Sequence, residues 1–135
     1  MNYTRLALAA VAATIADFVY GFAVYGNLLT GSFLEQGAIY RSAEAQMAHM
    51  PIGAAGLALA MVAAAMLFAV SHFRGVGGGL QFGLLLAVFA IGTSVVVNYA
   101  TINMSEDHAA RMLLAALGEW LVVGTVIGLV YQPSR

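Results

Sequence analysis

Ala58-Leu59-Ala60-Met61-Val62-Ala63-Ala64-Ala65-Met66-Leu67-Phe68-Ala69-Val70 carries no charged or polar side chain and shows no alternation of character. A half-buried strand would alternate apolar and polar residues, and a barrel strand crossing a membrane would end after about 10 residues. This run does neither. Extended in both directions it becomes an apolar segment from about residue 46 to 71. That exceeds the roughly 20 residues a helix needs to cross a 30 Å hydrocarbon layer.

Three further segments read the same way, at about residues 4–29, 76–102 and 109–131. Together they fill most of the 135 residues. Charged residues are only 8% of the chain and hydrophobic ones 62%, against about 25% charged in a soluble domain. So few charges cannot solvate a globular surface. The fold class is therefore an all-α integral membrane protein, a four-transmembrane-helix bundle forming a single domain over residues 1–135. The first segment is too long for the apolar part of a signal peptide and carries Asp17, so it reads as a retained helix.

The connections agree. Residues 30–45 hold Gly31, Ser32, Glu35, Gln36, Gly37, Arg41 and Glu44, with room for a short interfacial helix. Ser71-His72-Phe73-Arg74-Gly75 is a tight turn, and Gly77-Gly78-Gly79 after it lacks the Lys-Ser/Thr of a phosphate loop. Ser105 followed by Glu106 and Asp107 reads as an N-cap with acids on the positive end of the fourth helix. Pro51 falls in the first turns of the second, where a missing N–H is tolerated. Arg5, Arg74 and Arg135 lie on one side, Arg41 and Arg111 on the other. This bias favours both termini in the cytoplasm, and the general shape, like that of many small bacterial inner-membrane proteins, gives a bacterial inner membrane as the expected location.

Composition excludes several functions. The chain has no cysteine, hence no disulfide, thiolate metal site or thiol nucleophile. A net charge of −1 gives no footprint for nucleic acid. Histidines at 49, 72 and 108 show no metal-ligand spacing, so no metal is assigned. A haem held by His49 and His108 at the outer edge, or a quinone, are the cofactors the pattern leaves open. The seven methionines read as packing residues.

The chemistry lies in polar residues inside apolar segments, since a charge at the bilayer centre costs about 2.5–3.5 kcal/mol. Asp17 lies about 12 residues below the outer end of helix one and Glu119 about 11 below the outer start of helix four. At about 1.5 Å per residue both lie roughly 17–18 Å deep. Tyr20 and Asn27 share Asp17's face, Arg111 and His108 lie on Glu119's side, Asn98 belongs to a polar stripe with Ser94 and Thr101, and His49 begins helix two. The expected ligand or proton site is thus Asp17, Glu119, Tyr20, Asn27, His49, Asn98 and Arg111, in an outward-facing polar pocket above an apolar inner half. Phe33, Tyr40 and Tyr99 read as interfacial anchors.

Three functions use this pattern: proton-coupled transport of a small ligand or ion; an accessory subunit or lipid-, quinone- or pigment-binding module of a membrane complex; and an enzyme acting on a lipophilic substrate. The last has no recognisable catalytic grouping. Small residues four apart, as in Gly56-x3-Ala60-x3-Ala64, Gly79-x3-Gly83 and Gly124-x3-Gly128, let helix backbones approach closely. They serve the bundle itself, or a homodimer seam or partner subunit in the bilayer.

Overall fold

The computed structural model describes residues 2–132; Arg135, counted above for orientation, lies outside them. Four helices long and apolar enough to cross a membrane run over Tyr3–Leu28, Ala43–Val70, Gly75–Thr101 and Glu106–Val130. The described residues contain no strand. The first span is helix α1 (Tyr3–Ala23) continued by a π-helical segment, Val24–Leu28. A short helix α2 (Thr30–Glu35) follows, then α3 (Ala43–Val70). The third span is α4 (Gly75–Ala90), a second π-helical segment Ile91–Val96, and α5 (Val97–Thr101). Helix α6 (Glu106–Val130) is the fourth.

The helix starts follow local chemistry. Ser105 Oγ accepts from the His108 amide at 3.3 Å, and Ser42 Oγ from the Ala45 amide at 3.3 Å, each satisfying a donor the first turn leaves free. Helix α3 therefore begins three residues before the sequence-expected 46, and Pro51 falls within its interior rather than its first turns.

Helix α6 is central, packed against α1 on one side and α4 on the other, and α3 packs on α1 and closes onto α4 through Phe68 and Phe82. Two antiparallel registers hold this arrangement. Between α1 and α6, Arg5 donates to the Gln132 carbonyl, Tyr20 reaches Ala115 and Asp17 meets Glu119. Between α4 and α6, Gly75 meets Gly128, Gly79 meets Gly124, and Gly83 meets Gly124 and the Trp120 carbonyl. A Cβ at Gly124 would stand 2.6 Å from the Gly83 Cα, so only glycine permits this seam. Lipid offers no hydrophobic drive for association, so close backbone contact supplies the dispersion energy instead. The two glycine pairs on α4 and α6 thus serve the bundle itself.

The end carrying the termini is closed. Ala9, Ala13, Met61, Ala65, Phe68, Val123 and Ile127 are almost fully buried there, with the Phe68 ring edge-on to Phe82 at 5.4 Å. At the distal end α3 stands apart: no residue between 43 and 60 is buried. Gly53 and Gly56 meet nothing within 4 Å.

Candidate functional site

The α1–α6 register brings Asp17 and Glu119 together as neighbours. Asp17 is only 3% exposed, and its Oδ1 has no hydrogen-bond partner. Glu119 accepts from the Tyr25 hydroxyl at 2.6 Å. Tyr20 donates to the Ala115 carbonyl at 2.7 Å, and its ring stands edge-on to Tyr25 at 6.3 Å. Gly118 makes room for it: a Cβ there would collide with the Tyr20 hydroxyl and stand 3.3 Å from its Cζ.

Tyr25 reaches Glu119 from within the π-helical segment. Side chains on a helix lean toward its N-terminus, so Tyr25 points down toward the carboxyl pair. The wide turn is supported by two side chains that bond carbonyls along it. Asn27 Nδ2 donates to the Phe22 carbonyl and Thr30 Oγ1 to the Gly26 carbonyl, each at 2.6 Å. On α4 the approach to the second wide turn has a similar bond, Thr93 Oγ1 to the Phe89 carbonyl at 2.8 Å. Such wide turns occur often at functional sites.

A second polar cluster lies nearer the distal surface. His108, 1% exposed, is hydrogen-bonded through Nδ1 to Ser32 Oγ at 2.6 Å and through Nε2 to the Tyr40 hydroxyl at 3.0 Å. A neutral imidazole has one donor and one acceptor, and hydroxyls can fill either role, so both ring nitrogens are satisfied. Burial holds the Tyr40 phenol above its ordinary value, which keeps it protonated at neutral pH. Phe33 joins the clusters by contact alone. Its ring is edge-on to Tyr25 at 6.4 Å, to His108 at 5.1 Å and to Tyr40 at 4.8 Å.

Of the sequence-expected site residues, the structure brings together Asp17, Glu119 and Tyr20. The others lie elsewhere. Asn27 is exposed and spent on the π-helical segment. His49 is exposed on the free half of α3, with Nδ1 bonded to the Ala45 carbonyl at 2.7 Å. Asn98 is exposed on α5. Arg111 is exposed and paired with Asp107 at 2.8 Å, one turn earlier on the same helix.

Sequence reading missed Tyr25, Ser32, Phe33 and Tyr40 as neighbours of this site. The four-residue steps Asp17, Gly21, Tyr25 were the available signal for the first. No grouping of three or more His, Asp or Glu able to hold a metal occurs among the described residues. No protein family, curated protein or solved structure matches this chain.

Proposed function

We propose that this protein loads and releases a proton at the Asp17–Glu119 pair, and couples that exchange to the movement of a small solute or ion across the membrane. One observation carries the reading: two carboxyl groups meet at mid-span, and one oxygen of the more buried group has no partner. Two carboxyls brought close together in a buried site repel when both are charged, so the pair favours holding a proton. A structural acid in lipid would have every oxygen satisfied, because an unpaired buried polar atom is costly. Tyr25 steadies Glu119, leaving Asp17 as the group that changes partner. In this reading the protein lies in a bacterial inner membrane with both termini cytoplasmic. It works as a homodimer, since four short helices enclose little of a path alone. The open Gly53 and Gly56 on α3 support a second copy as partner.

Proteoliposomes loaded with a pH-sensitive dye test the coupling. Gradients of Na⁺, K⁺ or a quaternary ammonium ion are imposed in turn. The wild type is expected to move protons in response to at least one. Asp17→Asn and Glu119→Gln are expected to lower that flux at least tenfold. Equal flux in wild type and both variants would sink the reading.

A second observation favours the binding-module alternative. Between α6 and the Val95–Tyr99 region lies a lateral groove of about 250 Å³, walled by Val95, Val96, Ala109, Ala110 and Leu113, with Glu106 at its rim. Its apolar walls suit a lipid or quinone chain. Native mass spectrometry decides this: a bound lipid or quinone lost in Ala110→Phe, with proton flux retained, would support it. An unaltered set of bound molecules would remove it.

A further inference from the structure

Asp17 is buried, and on the distal side of the pair Tyr25 bonds Glu119 while Phe33 of α2 packs edge-on against the Tyr25 ring. Three side-chain attachments hold this region to the start of α6: Ser32 and Tyr40 on His108, and Gln36 Nε2 donating to Ser105 Oγ at 3.1 Å. None of these bonds belongs to the regular structure of either helix. The chain on both sides of α2 can also yield. It is preceded by the π-helical Val24–Leu28 segment and followed by non-helical residues including Gly37. Beneath α2 the Phe33 ring touches Tyr25 on one side and His108 and Tyr40 on the other. A phenyl ring carries no proton and hydrogen-bonds no water. It therefore divides two clusters that each could carry a proton: Asp17, Glu119 and Tyr25 below, and Ser32, Tyr40 and His108 above.

We propose that α2 is a gate over the carboxyl pair, with Phe33 as its barrier and His108 as the residue that latches it shut. The inference rests on the proposed role of Asp17 and Glu119, and names what controls access to them. Opening moves α2 away from the start of α6, withdraws Phe33 and admits water to Asp17. The latch gives the gate a defined closed state. His108 is saturated only when Ser32 and Tyr40 are both in place, so partial opening leaves a buried ring nitrogen unpaired.

The absence of cysteine from the chain allows a direct test that does not need the carboxyl chemistry. Asp17→Cys places a single thiol at the pair. Its labelling rate is measured in nanodiscs with a small water-soluble methanethiosulfonate. Phe33→Ala, and separately Ser32→Ala with Tyr40→Phe, are expected to raise that rate at least tenfold. Leu34→Ala, on the same helix but 74% exposed, is expected to leave it unchanged. Ala64→Cys, buried in the core at the terminal end, reports general loosening. Equal rates at position 17 in all backgrounds would overturn the gate, as would a parallel rise at position 64. Neither result bears on the flux test, so the gate and the carboxyl pair fail separately.

Discussion

Tyr25 gives the carboxyl pair its geometry. Its hydroxyl donates to Glu119 at 2.6 Å, and Glu119 in turn faces Asp17. Interhelical hydrogen bonds in membranes contribute about 0.6 kcal/mol on average and up to about 1.7 kcal/mol. Tyr25→Phe keeps the ring against Tyr20 and Phe33 and removes only the donor. It is expected to lower stability by about 1 kcal/mol in detergent unfolding, and to reduce proton flux more than Tyr20→Phe does. Tyr20 bonds a backbone carbonyl and not an acid, so an equal loss of flux in both variants would contradict a specific role for Tyr25. At this scale the sequence showed part of the site. Asp17 and Glu119 stand out because lipid penalises any charge it surrounds. The angular step of a regular helix points Asn27 and Asn98 at the site, but Asn27 lies within the first π-helical segment and Asn98 just beyond the second. A wide turn advances by a smaller angle per residue, so it rephases everything beyond it. Nothing in Val24-Tyr25-Gly26-Asn27-Leu28 announces such a turn.

The elements divide by how they use glycine. On α4 and α6 each glycine of the seam lies against opposing backbone. A Cβ at Gly79 would collide with the Gly124 carbonyl and stand 3.0 Å from the Gly128 Cα. Backbone cannot rotate away as a side chain can, so Gly79→Ala or Gly124→Ala must part the helices. The expected cost is about 1–3 kcal/mol, as for overpacking a tight core, read as a lower midpoint in denaturant titration. Gly56→Ala on α3 adds a methyl where nothing lies within 4 Å. In the detergent-dispersed monomer it is expected to be neutral or to stabilise by up to about 1 kcal/mol through helix propensity, and to weaken a dimer that seats this face. A loss in the monomer matching that in Gly79→Ala would contradict the open space around Gly56. The spans themselves were legible to within three residues, because a hydrocarbon layer demands an unbroken apolar run of set length. The roles of Phe33 and Tyr40 were not. Aromatics at such positions ordinarily anchor a helix at the interface, and here a buried histidine on another helix recruits them.

The whole molecule is closed at the end that carries its termini and loosely built at the other. The core there joins α1, α3, α4 and α6, whereas distally α3 leaves the bundle and exposes Gln46, His49, Gly53, Gly56 and Ala60 at steps of three and four residues. These five fall along one flank of α3, beside the face that packs on α1 lower down. On α4 and α6 the seam glycines are matched by opposing backbone, whereas Gly53 and Gly56 on this flank have no partner in the monomer. A second copy can meet it about a twofold axis along the membrane normal, which sets Gly56 against its own counterpart. The cysteine-free chain makes the arrangement testable by one residue at a time. Gly56→Cys is expected to form an interchain disulfide on mild oxidation in native membranes. Val62→Cys, about 120° round the helix by its 3.6-residue turn, is expected to stay monomeric under the same conditions. Crosslinking at both positions would indicate random collision in the bilayer. Crosslinking at Val62 alone would place the seam on another flank and remove the α3 glycines from it. The distal half of α3 would then stand apart for a different reason, facing lipid or a membrane partner of another kind.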